Sequence, residues 1–358
     1  MRVLVVAEQL RRAVPGGIGT YARGLLAGVA TLDPAQRPAV TLWASRPPRG
    51  QPDPLRALGP VATTTLPARA QIVAWDRGLG RPPPGADLVH ATSFALPATG
   101  DVPLSAMVHD LAWRHFPDAY PARGRRWHEA ALGRALARAA LFVVPSTPVA
   151  DDLLAAGAEA RRVEVVEEGC DHLEPADDDA ADAVLRRLGV TGEYLLTVST
   201  LEPRKNLVRL AAAYALARPR LPEPWPLVVA GPAGWGPDLA PAEGVVLAGN
   251  VAGGALTALY RRARLLAFVP LREGFGLPVA EAMSCGTPVV ASPVPSAGDA
   301  ALEVDPFDVD AIADGLVAAA TDDACRRQLV AAGGARAATL TWARAAGRHV
   351  ELWATITR

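Results

Sequence analysis

Short apolar runs alternate with longer segments of helical spacing along most of the chain. In the first half the runs fall at residues 2–7, 40–44, 86–90, 104–109, 141–144 and 163–166. A second set lies at residues 194–199, 227–230, 245–247, 265–269 and 289–291. All are of strand length. The segments at 21–30, 122–140, 207–218, 253–263, 279–284, 309–320, 325–332 and 342–357 read as helices. Proline-rich connections occupy 47–54 and 81–85. Strand alternating with helix predicts open α/β sheets, in which ligands sit outside the carboxyl ends of the strands.

The two sets of strands are separated by EPADDDAAD at 174–182, which is acidic and lacks large apolar residues. It reads as an interdomain linker leading into a short helix at 183–188. The expected organisation is therefore a first domain at 1–173, a linker at 174–192, a second domain at 193–340 and a terminal helix at 341–358. A chain of 358 residues suits two domains. The run Asp177-Asp178-Asp179 has the acidic character of a metal motif, but it follows no strand. A solvated charge run is the better reading.

Composition narrows the function classes. The net charge is −1, which gives no basic surface for nucleic acid. Cys170, Cys285 and Cys325 are odd in number and far apart. They form neither a metal spacing nor a disulfide framework, which fits a reducing cytoplasm. The opening MRVLVVAEQL is too short an apolar run for a signal peptide and reads as a first strand. No run of 18 apolar residues is present, so no transmembrane helix is expected. Lysine and arginine total 36, yet Lys205 is the single lysine, and Asn206 and Asn250 are the only asparagines.

The densest candidate chemistry is LLAFVPLREGFGLPVAEAMSCGTPVVA at 265–291. It reads as strand, Gly-rich turn, helix, strand. Gly274, Phe275, Gly276 and Leu277 lie where backbone can approach a ligand, and Pro278 suits a first helical turn. Free amides at a helix start favour an anion. Glu273 and Glu281 bracket the turn and are placed to accept hydrogen bonds from hydroxyls. A second anion-binding candidate is TLEPRKNL at 200–207, where Arg204 and Lys205 sit between a strand end and a helix start. Near the amino terminus, Gly16, Gly17 and Gly19 also stand between strand and helix. Alone they fit a tight turn about as well as a phosphate or acceptor loop. His109 ends a strand, where a lone histidine is either a hydrogen-bonded structural group or a ligand-facing one.

The motif E-G-F-G-L-P-x-x-E-A-M-x-x-G-T-P-V-V-A resembles the donor-site signature of retaining glycosyltransferases of family 4. LEPRKN resembles the diphosphate motif of that family's branch that often uses GDP-mannose. The resemblance covers most of the chain, strongly from 194 to 291 and thinly from 40 to 100. It implies a GT-B fold: two Rossmann-like, doubly wound parallel-sheet domains facing each other across a cleft. The implied activity is transfer of a hexosyl group from a nucleotide sugar, with retention and without metal or cofactor. The acceptor is a glycan, a lipid-linked molecule or a small molecule.

In this reading His109, Glu273, Lys205 and Arg204 are catalytic. Donor contacts come from Gly16, Gly17, Ser199, Asn206, Gly231, Asn250, Val251, Gly274, Phe275, Gly276, Leu277 and Glu281. Ser199 stands where some relatives carry a further arginine. The Gly-rich turn at 231–236 would lie among these groups, and Asn250 and Val251 would face the nucleotide base. The segment SPVPSAGDA at 292–300 is shorter than its family counterpart. The arginines of 122–140 admit contact with a membrane face through the first domain, although an ordinary solvated face is the preferred reading. Cytoplasmic placement is expected, and the oligomeric state is open. Two other classes compete: a glycoside hydrolase using Glu273 and Glu281, and a catalytically silent GT-B binding subunit.

Overall fold

Thirteen strands among the described residues build two sheets, and every strand pair in both is parallel. The computed structural model describes residues 1–48, 50, 52–235 and 242–357. Arg49 and Gln51 of the proline-rich connection, and Gly236 of the expected turn, lie outside them. The chain divides into two compact units, one of residues 1–169 with 342–358 and one of residues 170–341.

The first unit holds strands β1 (Arg2–Val6), β2 (Ala39–Ala44), β3 (Val61–Thr63), β4 (Leu88–Ala91), β5 (Leu104–Met107), β6 (Leu141–Val144) and β7 (Val163–Val165). They lie in the order β3-β2-β1-β4-β5-β6-β7. The chain runs outward from β1 to β3, then returns to the other side of β1 at β4. This reversal is a topological switch point, where a crevice opens at the strands' carboxyl ends. Helices α1 (Gly16–Thr31), α2 (Ala68–Asp76), α3 (Ala112–His115), α4 (Ala122–Arg138) and α5 (Thr147–Ala155) connect the strands. Strands β4, β5 and β6 are buried along their whole length, as a sheet covered on both faces requires.

Three differences from the sequence reading have local causes. The glycines at 16, 17 and 19 form the first turn of α1 rather than a loop before it; Gly16 takes φ +60° at that start. Strand β3 and helix α2 were not expected, because the first is a three-residue edge strand and the second is only weakly amphipathic. Helix α2 is fixed by Trp75, fully buried with its ring 5.4 Å from that of Trp43.

The terminal helix Trp342–Ile356 belongs to the first unit and packs on α1. Close packing there needs glycine. A methyl group at Gly24 would lie 2.0 Å from Cε2 of Trp342, and one at Gly28 would lie 2.1 Å from the Trp342 carbonyl oxygen. Gly28→Ala should therefore destabilise this unit by about 1–3 kcal/mol, because backbone cannot yield as a flexible side chain does. A urea melt that left its midpoint unchanged would refute that packing.

The second unit holds β8 (Leu195–Val198), β9 (Leu227–Ala230), β10 (Val245–Gly249), β11 (Leu265–Phe268), β12 (Val289–Ala291) and β13 (Leu302–Glu303). Their order is β10-β9-β8-β11-β12-β13, which places the switch point between β8 and β11. Its helices are α6 (Asp178–Arg187), α7 (Leu207–Ala217), α8 (Gly253–Arg262), α9 (Leu277–Ser284), α10 (Val309–Thr321) and α11 (Asp323–Ala337).

Helix α6 corrects the expected linker. It starts inside the acidic run, because the Asp177 side chain accepts from the Ala180 amide and Asp178 and Asp179 favour the first-turn dipole. Leu185 is buried and the helix packs on α8. The aspartates thus serve a helix start. Among the described residues no group of three His, Cys, Asp or Glu side chains is placed to hold a metal ion. No helix there is long and apolar enough to cross a membrane.

Candidate functional site

In the second unit, the loops after β8 and β11 meet at the switch point. After β8, Pro203–Lys205 forms a single 3-10 turn, and Asn206 takes the left-handed conformation at φ 60° before α7. After β11 comes Glu273-Gly274-Phe275-Gly276, and α9 begins at Leu277. The Leu271 amide donates to the Arg204 carbonyl at 2.9 Å, which joins the two loops. Gly276 has φ +97°, and a Cβ there would lie 2.1 Å from Cγ1 of Val294, so glycine is required on both grounds.

The charged side chains form one group. Lys205 Nζ and Arg204 Nη1 both donate to Oε1 of Glu273 at 2.6 Å. Arg204 also donates to the Arg272 carbonyl at 2.8 Å and to Oε1 of Glu202 at 2.9 Å. Arg204 is thus a brace whose fork is committed to three acceptors. Lys205 has one ion-pair partner, keeps its side chain 13% exposed, and lies 5.3 Å over the Phe268 ring. Of the two expected phosphate cations, it is the one with donors to spare. Both ion pairs fall on Oε1 of Glu273, which leaves Oε2 able to accept from a hydroxyl.

Glu281 lies on α9 and is buried. Its Oε1 meets His172 Nε2 at 3.0 Å, and its Oε2 accepts from the Tyr260 hydroxyl at 2.7 Å. Burial, and then the charge of Glu281, hold the Tyr260 phenol well above its usual pKa, so it stays a donor. Each carboxylate oxygen keeps a second lone pair for a ligand hydroxyl. Neither Glu273 nor Glu281 is presented bare, as a hydrolase pair flanking a glycosidic bond would be.

The other expected donor contacts divide in two. Ser199 is buried with no partner for its hydroxyl, and Gly231 packs so closely on it that a Cβ would lie 1.9 Å from the Ser199 carbonyl oxygen. The Gly231 amide donates to the Gly249 carbonyl at 2.8 Å, which brings the exposed Asn250 and half-buried Val251 to the same sheet edge. Asn206 has a structural commitment instead. Its amide donates to the carbonyls of Val269 and Pro306 and accepts from Arg209. It ties the end of β11 to the loop before α10.

In the first unit, Glu8, Gln9 and the start of α1 follow β1, Ser93 to Ala95 follow β4, and His109 follows β5. They border a cavity of about 410 Å³. Gly16 and Gly17 are exposed at the start of α1. His109 has both nitrogens engaged with the protein: Nε2 with the Thr92 carbonyl at 2.9 Å and Nδ1 with Glu168 at 3.4 Å. Burial pulls its pKa down, but the Glu168 carboxylate and the Thr92 carbonyl outweigh burial and raise it. His109 therefore borders the cavity as a ring held at both nitrogens by the protein.

Beneath it lies a buried polar chain that the sequence reading missed. The Tyr21 ring meets that of His109 edge-on at 5.0 Å. Its hydroxyl bonds His90 Nε2 at 2.9 Å and His349 Nε2 at 2.8 Å. The Ala345 carbonyl can only accept, so His349 Nδ1 carries the proton and its Nε2 accepts from Tyr21. Tyr21 has one hydrogen, so His90 Nε2 donates to it and His90 Nδ1 accepts from Ser105. His90, His349, His172 and Tyr260 carry no local sequence motif, and Glu202, inside LEPRKN, gave no sign of its role. Each is identified only by what the fold places beside it.

Residues 15–172 match the family described as Glycosyltransferase Family 4, and residues 192–322 match that described as Glycosyl transferases group 1. Over 271 residues the chain is 32% identical to O-antigen chain mannosyltransferase B of Escherichia coli, covering 71% of each chain. It is 34% identical over 173 residues to the serotype-specific mannosyltransferase WbdA of Escherichia coli, covering 44% of this chain and 21% of that one. The fold is shared with HepE of Anabaena, solved in complex with UDP and glucose. The TM-score is 0.72 at 19% identity, over 99% of this chain and 100% of that chain.

Proposed function

Since this chain belongs to glycosyltransferase family 4 and has the GT-B fold, we propose that it moves a hexosyl group from a nucleoside diphosphate sugar to a hydroxyl acceptor. Retention at the anomeric carbon and independence of metal are parts of the proposal. The favoured donor is GDP-mannose, supported by the LEPRKN motif and by the mannosyltransferases among its relatives. The observation that carries the reading is Lys205 beside the Glu273–Leu277 turn, at the switch point of the second unit.

The chemistry follows from the charges. Breaking the bond between the anomeric carbon and the β-phosphate oxygen concentrates negative charge on that phosphate. Lys205 and the first-turn amides of α9 stabilise it as it develops, with Arg204 and Glu273 holding the lysine in place. Glu273 Oε2 accepts from a hydroxyl of the donor sugar and orients the ring. Glu281 accepts from the ribose hydroxyls. The acceptor oxygen forms its bond to the anomeric carbon on the face the phosphate leaves, and its proton passes to the departing phosphate. No separate base is then needed, which suits a His109 whose nitrogens are both engaged with the protein.

Thermal shift of the full chain against UDP, GDP, dTDP and ADP, with and without EDTA, tests this. A rise with GDP that EDTA does not alter is expected. A rise abolished by EDTA would overturn metal independence, a preference for another nucleotide would overturn the GDP assignment, and no rise with any nucleotide would overturn the donor site.

A further inference from the structure

The proposed transfer leaves the acceptor open among three classes, and the cavity of the first unit discriminates between them. Resting on the transfer reading, we propose that this cavity seats the acceptor and that the part it takes is a neutral pyranose, not a phosphorylated sugar or a phosphate headgroup.

The first argument is shape. Phe94, Trp113, Trp127 and His128 line the cavity. The His128 ring stacks on Trp113 at 4.6 Å with 20° between planes, and meets Trp127 edge-on at 5.0 Å. Trp113 Nε1 donates to Glu129 and Trp127 Nε1 to Asp76, which fixes both indoles from behind. Rigid aromatic walls of this kind suit the apolar C–H face of a sugar ring. A volume of about 410 Å³ gives the ring room and falls within the usual size of small-molecule sites.

The second argument is the sign of the polar groups. The cavity's carboxylates are Glu8 and Asp110. Glu8 is buried and positioned by the Ser45 amide and hydroxyl at 2.8 and 2.9 Å. Nδ1 of His128 is buried with no hydrogen-bond partner. Burial lowers the pKa of His128 despite Asp110 and Glu129, so its ring is neutral. Carboxylates need donors, and a sugar hydroxyl supplies one. A phosphate oxygen only accepts and would face two carboxylates. Of the cations that line the cavity, His109 has both nitrogens engaged with the protein, which leaves Arg12 against two carboxylates.

Saturation-transfer NMR on the full chain tests this, with methyl α-D-mannopyranoside and mannose 6-phosphate as probes, each with and without the nucleoside diphosphate chosen by thermal shift. Transfer to the ring C–H protons of the glycoside is expected, with none to the phosphate ester at equal concentration. Trp127→Ala should weaken glycoside binding about tenfold or more. Ala95→Trp, which fills the cavity, should remove it. Equal or tighter binding of the phosphate ester would overturn the proposal. So would glycoside binding that both variants leave intact, or no glycoside signal while the nucleotide binds. Failure of the nucleotide alone would instead count against the transfer reading, because the glycoside arm without nucleotide still decides the cavity's ligand.

Discussion

Lys205→Ala should lower turnover of the nucleotide sugar about a hundredfold, equivalent to about 3 kcal/mol of transition-state stabilisation. The reason is positional. Among the described residues Lys205 Nζ has a single ion-pair partner, Glu273, whereas the Arg204 fork is spread over Glu202, the Arg272 carbonyl and Glu273. The lysine is therefore the cation able to turn toward a β-phosphate as charge builds. Nucleoside diphosphate affinity, read by calorimetry, should fall as well, as it should in Glu281→Ala. Glu273→Ala should mainly lower turnover, because it loses the sugar-orienting carboxylate while Arg204 keeps its other acceptors. Unchanged nucleotide affinity in Lys205→Ala would sink the site assignment. Lys205→Arg should not restore full activity, since a planar fork cannot reproduce a compact ammonium on the same carboxylate oxygen.

The second large effect is on stability in mild acid. His349 is buried and its pKa falls to about 4, chiefly through burial, while His90 is lowered well below 6.5 for the same reason. An unfolded histidine takes up a proton near pH 6.5, and these two do not while the chain is folded. Between pH 6.5 and about 4 the unfolded state thus binds more protons, and stability falls as pH falls. His349 alone should remove about 2 kcal/mol between pH 7 and pH 5, and about 3 kcal/mol by pH 4. His109 does not oppose this. Its raised pKa gives a contribution already complete below 6.5 and lost only as pH rises through the folded value. Urea midpoints at pH 7 and pH 5 measure the effect, and His349→Gln should flatten the difference. A variant as pH-sensitive as the native chain would show that the proton is taken up elsewhere.

Much of the site could be read in the sequence because its parts are local. The turn from Glu273 to Leu277 and the segment from Arg204 to Asn206 are contiguous motifs with helix starts and special backbone, and both appear at the expected strand ends. The partners were less legible. Arg204 and Lys205 were both expected at the phosphate. Their sequence positions could not show that Glu202 and the Arg272 carbonyl take up the arginine. Asn206 was expected at the donor, yet a left-handed residue at a strand end can brace two distant carbonyls at Val269 and Pro306. Residues 174–182 were expected to be a linker leading into a helix at 183–188, because their composition suggests solvent, whereas the Asp177 cap starts that helix at Asp178 and burial of Leu185 holds it.

The sequence by itself determined the two sets of alternating strands and helices, the loops proposed to carry the chemistry, and the family. These depend on short-range patterns: apolar periodicity, glycine where backbone must turn, and charge at a helix start. Only the tertiary structure decided which charged group meets which. It set Glu281 between His172 and Tyr260, and it joined Tyr21, His90 and His349 across 328 residues of chain. The physical reason is that a buried polar atom needs a partner within about 3 Å. Which atom fills that place depends on how sheets and helices pack, and no local pattern encodes that.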